Sequence, residues 1–189
     1  ALPHVGPIIM PDVAGFEERV QQLLRDIAQE VEHRNQRFEL AGAADLYEYN
    51  KHAQRAHDEI LPAVLVVIDN FDEFVEIFGN LAREEDGESV LVSFISLVSR
   101  AKAYGFHFVV AASRPTTLSG KLYSLFAERM TLHLDDADGY AAVVGNVPGE
   151  PDEMPGRGYV RLGRRALTMQ VASLPSAEET NVRTLFEHL

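Results

Sequence analysis

Cysteine is absent from the 189 residues. That excludes disulfides, zinc–thiolate centres and thiol nucleophiles, and it fits a cytoplasmic setting. Basic residues are scarce, with 17 Lys and Arg against 29 Asp and Glu, a formal net charge of −12. A surface of that sign repels phosphate backbones, whose neutralisation by Lys and Arg drives nucleic-acid affinity, so the balance disfavours DNA as a partner. Long apolar runs are missing too. The longest, Ala63–Ile68, falls far short of the roughly 18–20 residues a membrane span needs. No cationic stretch leads into an apolar one as in a secretory signal, so direct membrane contact is not expected of this chain.

The composition, 46% apolar and 24% charged, is that of an ordinary globular protein, and the length fits one domain covering residues 1–189. Val5–Met10 reads as a short buried strand ended by Pro11-Asp12, with Asp12 capping the next helix. Phe16, Val20, Leu23, Leu24, Ile27, Val31 and Phe38 recur at helical spacing, which predicts a long helix to about Leu40 closed by Gly42. Asp45 opens a shorter helix. The β-branched run Ala63–Ile68 suits a parallel strand covered on both faces. Helices are expected over Phe71–Arg83, Ser89–Tyr104, Ser119–Ala127 and Asp136–Val144. The acidic loop Glu84–Glu88 separates the first two, and the loop Gly145–Met154 follows the last. Strands are expected over His107–Ala112 and Arg129–Leu134, and Tyr159–Leu162 pairs with Ala166–Val171 as a hairpin across Gly163-Arg164-Arg165. Alternating strands and helices imply an α/β fold, a mostly parallel sheet with helices on both faces. Asp69 and Ser113 then leave their strands at one edge.

An apolar strand ending in Asp has the form of an element that holds Mg²⁺ through water at a nucleotide site, where a following acid orients the attacking water. Many parallel strands also end in Asp because it caps the next helix. The strand tip alone leaves both readings open.

Longer stretches narrow the choice. Val64-Leu65-Val66-Val67-Ile68-Asp69-Asn70-Phe71-Asp72-Glu73-Phe74 is similar to the Walker B strand and acidic continuation of the FtsK/SpoIIIE family. Ala101 to Pro115, through Gly105, His107 and Ser113-Arg114-Pro115, resembles that family's helix–Gly–x–His–strand segment ending in Thr-Gln-Arg-Pro. Met154-Pro155-Gly156-Arg157-Gly158-Tyr159-Val160-Arg161 is similar to its late Leu-Pro-Gly-Arg-Gly turn. Leu2-Pro3-His4-Val5 is similar to the family's element just after the strand that follows the P-loop and its helix. The compact loop between Ser113 and Arg129 and the short hairpin favour the EccC branch of type VII secretion.

The resemblance implies part of a RecA-like P-loop NTPase core with a C-terminal hairpin, its N-terminal Walker A portion missing from these residues and expected upstream of Leu2, and a membrane-anchored parent. It also implies ATP and Mg²⁺ in the complete domain, with Asp69 as the Mg²⁺ residue and Ser113 and Arg114 beside the nucleotide. Sister ATPase domains or subunits, in a hexamer, and a secreted substrate protein would be the partners.

Departures from the family pattern carry the functional expectation. No G-x-x-x-x-G-K-S/T occurs, so these residues hold no phosphate-cradling loop. The chain alone is expected to be inactive and to bind no cofactor by itself. Asn70 stands where the family has an acid, and Asp72 or Glu73 is a candidate substitute displaced along a helix. Lys102 stands at the position of the arginine that acts in trans as a finger in the family, with charge but no planar fork. Ser113 stands where the family has Gln at its sensor. Three changes at independent parts of one site suggest a degenerate nucleotide-binding, regulatory or substrate-docking domain of a secretion motor. The alternative is a piece of an active ATP-driven DNA translocase.

Other features have plainer explanations. The histidines lack metal-ligand spacing. Asp135-Asp136-Ala137-Asp138 lacks the Gly and Glu of a calcium loop and suits a helix cap. Ser89 and Ser113 lack a nucleophile's G-x-S-x-G setting. Arg157 suits a turn or a subunit contact. The stripe Phe71, Phe74, Val75, Phe78 reads as core.

Overall fold

A computed structural model describes residues 5–81, 89–118, 120–149 and 154–172. The expected elements at Leu2–His4, Glu84–Glu88 and Ser119 lie outside those residues. The chain divides into two compact units, Ala1–Leu125 and Phe126–Leu189.

From Val5 to Gly15 the first unit has no helix or strand. Val5–Met10 is not a strand, and Val5, Ile8 and Met10 are exposed; no described strand pairs with them, and an unpaired strand leaves its backbone groups to water. Helix α1 (Phe16–Ala41) starts from Gly15 in the left-handed region, φ 75°, so Asp12 is not its cap. Its far end is as expected: Gly42 adopts φ 62° and donates its N–H to the carbonyls of Glu39 and Phe38. Asp45 caps helix α2 (Leu46–Ala56) by accepting the Glu48 N–H at 2.8 Å.

Strands β1 (Val64–Ile68) and β2 (Phe106–Val110) run parallel, Val64 opposite Phe106 and Ile68 opposite Val110. Between them lie helix α3 (Phe71–Phe78), helix α4 (Val90–Ala101) and a 3-10 turn at Lys102–Tyr104. The α3 helix stops short of Arg83 because Ser89 Oγ donates to the carbonyls of Phe78 and Gly79, satisfying its last turn from outside. One face of the strand pair, through Val64, Val66 and Phe108, packs on Ile27 and Val31 of α1 and Leu97 and Ala101 of α4. Leu65, Val67 and Val109, on the opposite face, are 62%, 61% and 49% exposed. Phe71, Phe74 and Phe78 are buried as the sequence stripe implies, with Phe94 of α4 at 5.3 Å from Phe74. Helix α5 (Gly120–Leu125) ends this unit.

Arg34 fastens the unit. It is 3% exposed, its Nη1 donates to the carbonyls of Pro62 and Tyr104 at 2.9 Å, and its Nε pairs with Glu30 at 2.8 Å. Its guanidinium also lies 4.9 Å from the Phe106 ring centroid. One side chain thus joins α1 to the segments entering β1 and β2.

In the second unit β3 (Arg129–Thr131), β4 (Arg157–Leu162) and β5 (Arg165–Gln170) form an antiparallel sheet in that order. The expected hairpin is present, turning over two residues with Gly163 at φ 61° between the Leu162–Arg165 pair. The strand at Arg129 adds a third member to that hairpin. Helix α6 (Ala137–Val143) is capped by Asp136, which accepts the Gly139 N–H. Its Tyr140 and Val143 bury against Tyr159 and Ala166 of the sheet.

Candidate functional site

All the residues singled out between Asp69 and Arg114 belong to the first unit. Parallel pairing places the tips of β1 and β2 side by side, so Asp69 and Ser113 leave adjacent strands at the same edge. The ladder runs on past the strands: the Ala111 N–H donates to the Ile68 carbonyl at 2.9 Å, and the Phe71 N–H to the Ala111 carbonyl at 2.7 Å. The two tips are locked in register where the functional side chains emerge.

Asp69 is exposed at this edge, with one carboxylate oxygen accepting the Asn70 N–H at 3.0 Å. Asn70 adopts the left-handed conformation, φ 54° and ψ 60°, a state Asn tolerates better than most residues. That kink turns the chain from strand into helix. Its side-chain amide donates to Glu73 Oε2 at 3.0 Å, so the residue in the acid position and one of its candidate substitutes are bound to each other.

The other candidate, Asp72, faces the loop that leaves β2. It accepts the Ser113 N–H at 2.6 Å, the Arg114 Nε at 3.3 Å and the Thr117 hydroxyl. Its side chain is 13% exposed. The Thr117 hydrogen bond, with the Ser113 N–H and the Arg114 guanidinium, holds its carboxyl below the ordinary range against the opposing effect of burial. A carboxylate engaged by three donors is a poor proton acceptor, and this one binds loop to helix. Arg114 is itself 72% exposed, so its charge contributes little to the pairing.

Lys102 lies elsewhere. It precedes β2, and the Gly105 carbonyl beside it accepts the Val64 N–H at the start of β1. It is therefore at the opposite edge of the strand pair from Asp69, about 16 Å away over five residues of strand. The structure brings together Asp69, Asn70, Asp72, Glu73, Ser113 and Arg114, and leaves Lys102 apart.

Thr117 is the residue that sequence reading passed over. It closes a 3-10 turn begun by Pro115, donating its N–H to the Arg114 carbonyl at 3.2 Å. Pro at the first turn position followed by a hydroxyl residue two places on was the available signal.

Chemically, the edge offers one exposed carboxylate for a hydrated divalent cation, with the backbone and hydroxyl of the neighbouring loop beside it. Asp69 fits the metal side of a nucleotide site. The phosphate side needs a nest of backbone N–H groups, and the sequence holds no loop of that type.

In comparisons with known proteins, the model of the family described as FtsK/SpoIIIE matches residues 1–166. The ESX secretion system protein EccC of Geobacillus thermodenitrificans is 24% identical over 186 residues, 97% of this chain and 11% of that protein. A structure of the pCW3 conjugation coupling protein TcpA with ATPγS superposes with a TM-score of 0.70 at 18% identity, over 90% of this chain and 49% of that one. ATPases 2 and 3 of Thermomonospora curvata EccC, in complex with a signal sequence peptide, give 0.60 at 22% identity, over 90% and 29%. At these identities the structural likeness shows the fold, a RecA-like P-loop ATPase domain. The chain spans about a tenth of the length of the curated secretion relatives it matches.

Proposed function

The chain belongs to the FtsK/SpoIIIE family, and from that premise we propose that it acts as a degenerate ATPase domain of a secretion motor of the EccC type. In this reading it contributes to nucleotide-linked regulation or substrate docking within a larger assembly and does not turn over ATP by itself. The observation that supports it most is the state of the acids after β1. Asn70 replaces the expected acid, its amide occupies Glu73, and Asp72 is engaged by Ser113, Arg114 and Thr117. Asp72 is thereby tied to the loop, and the position of the family's acid holds an amide, which cannot serve as a base for an attacking water.

Asp69, exposed at the tip of β1, is the residue that would hold a nucleotide's Mg²⁺ once a phosphate-binding loop is supplied from another segment of the parent. The exposed apolar face of Leu65, Val67 and Val109 suits cover by such a segment, because parallel strands are seldom left open on one face. Sister ATPase domains and a secreted protein are the proposed partners. The signal peptide bound to the T. curvata relative supports the second, and the net charge of −12 weighs against DNA.

The test is ATP hydrolysis by the full-length parent with Asp69→Ala in this domain. The expected result is a rate within about twofold of wild type, since chemistry then belongs to sister domains. A loss of more than about a hundredfold, the scale of removing a catalytic group, would make this domain a working motor.

A further inference from the structure

Helix α3 meets the segment leaving β2 at the Phe71–Ala111 backbone bond, and it meets the loop beyond through the Asp72 side chain. Ser113 N–H, Arg114 Nε and Thr117 Oγ1 come from three residues of a single loop, and all three point at the Asp72 carboxylate. The loop presents them together because Pro115 fixes the first residue of the turn and Thr117 N–H closes it onto Arg114. Asp72 sits in the first turn of α3, whose Phe71 and Phe74 rings pack against Phe94 while Phe78 packs against Phe74. A shift at the start of this short helix therefore repacks aromatic rings, and close-packed interiors transmit such strain.

We propose that Asp72 is a positioning residue that couples the 113–117 loop to α3, so that a ligand engaging Ser113 or Arg114 at the strand tips is registered in the helix. That this ligand is a nucleotide rests on the reading given under Proposed function; the coupling itself does not. Asp72 thereby has a role other than the acid–base one its place after Asp69 invites. The carboxylate suits it because an ionised group accepts several donors at once, each bond stronger than its neutral counterpart.

Amide hydrogen exchange on the full 189-residue chain tests this with three proteins: wild type, Asp72→Asn and Thr117→Val. Asp72→Asn should speed exchange at Ser113 and through 113–118 by about tenfold, the scale of one lost charge-assisted hydrogen bond. Thr117→Val changes only the loop side, yet should speed exchange severalfold in the first turn of α3 while leaving α1 and β1 at wild-type rates. Unchanged α3 amides in Thr117→Val overturn the coupling. A pH series adds a readout that plain packing would not move. Protection in 113–118, corrected for intrinsic exchange, should fall as Asp72 takes up a proton in wild type and show no such step in Asp72→Asn; the same step in both proteins also overturns it.

A second arm uses the parent with Mg²⁺ and ATPγS. Wild type should gain protection in both 113–118 and α3, and Thr117→Val in the loop alone. No protection in wild type would refute the nucleotide reading and leave the coupling to be judged by the first arm.

Discussion

The Asp72 carboxylate accepts the backbone N–H of Ser113 at 2.6 Å, across 41 positions of sequence. That contact joins the element after one strand to the element after its parallel neighbour, and it fixes how the site is understood. A carboxylate three residues beyond Asp69 invites a catalytic role. Its donors give it a mechanical one.

The same contact sets a pH dependence. Asp72 titrates below its ordinary value of 3.8 in the folded chain. A depressed carboxyl contributes stability that is fully present above the unfolded value and is lost as pH falls through the folded one. Urea unfolding of wild type and Asp72→Asn should therefore differ by a constant amount from pH 7 to about pH 5, on the order of 1–3 kcal/mol for charged hydrogen bonds. The gap should close only below the 3.8 reference. A gap that closes near neutrality would assign the effect to another group.

Arg34 carries a second prediction. Its removal leaves the carbonyls of Pro62 and Tyr104 without this donor at the strand entrances and takes the guanidinium from Phe106. Arg34→Ala should cost about 2–4 kcal/mol, from the lost hydrogen bonds of a charged group, with Glu30 remaining partly open to water. Arg34→Lys should recover only part of it, because an ammonium lacks the planar fork that reaches two carbonyls and Glu30 together. Chemical denaturation of both variants decides this, and equal losses would mean the fork is unimportant.

Much of this was legible in the sequence where local chemistry governs. The helix caps at Gly42, Asp45 and Asp136, the buried Phe stripe and the shared edge of Asp69 and Ser113 follow from periodicity and turn residues. Val5–Met10 misled because an apolar run reads as a strand whether or not a partner is at hand. The α3 end misled because its stop comes from Ser89, a residue outside the helix. The Asp72–Thr117 contact was invisible because it depends on tertiary approach across 45 positions, which no spacing rule encodes.

Two glycines near the hairpin should respond unequally to alanine. At Gly158 a Cβ would collide with the Thr131 carbonyl of the paired strand, whereas at Gly163 it would meet open space and only φ of 61° resists it. Gly163→Ala should cost about 1 kcal/mol for the left-handed conformation. Gly158→Ala should cost at least about 2–3 kcal/mol, because β3 must move away from β4. Thermal unfolding of the two variants gives the order, and Gly163→Ala as the worse would contradict the close approach of β3.

The exposed face of β1 and β2 gives the last prediction. Leu65 and Val67 are more than half exposed, so exchanging both for Thr should change the stability of the 189-residue chain by no more than about 0.5 kcal/mol per site. In the parent the outcome should differ. If a further segment covers that face, each buried side chain contributes about 1.5–3 kcal/mol, and the double variant should lower the unfolding midpoint of this domain well beyond its effect on the chain alone. Equal, small effects in both settings would mean the face stays open in the assembled protein, and the proposed berth for a phosphate-binding segment would have to lie elsewhere.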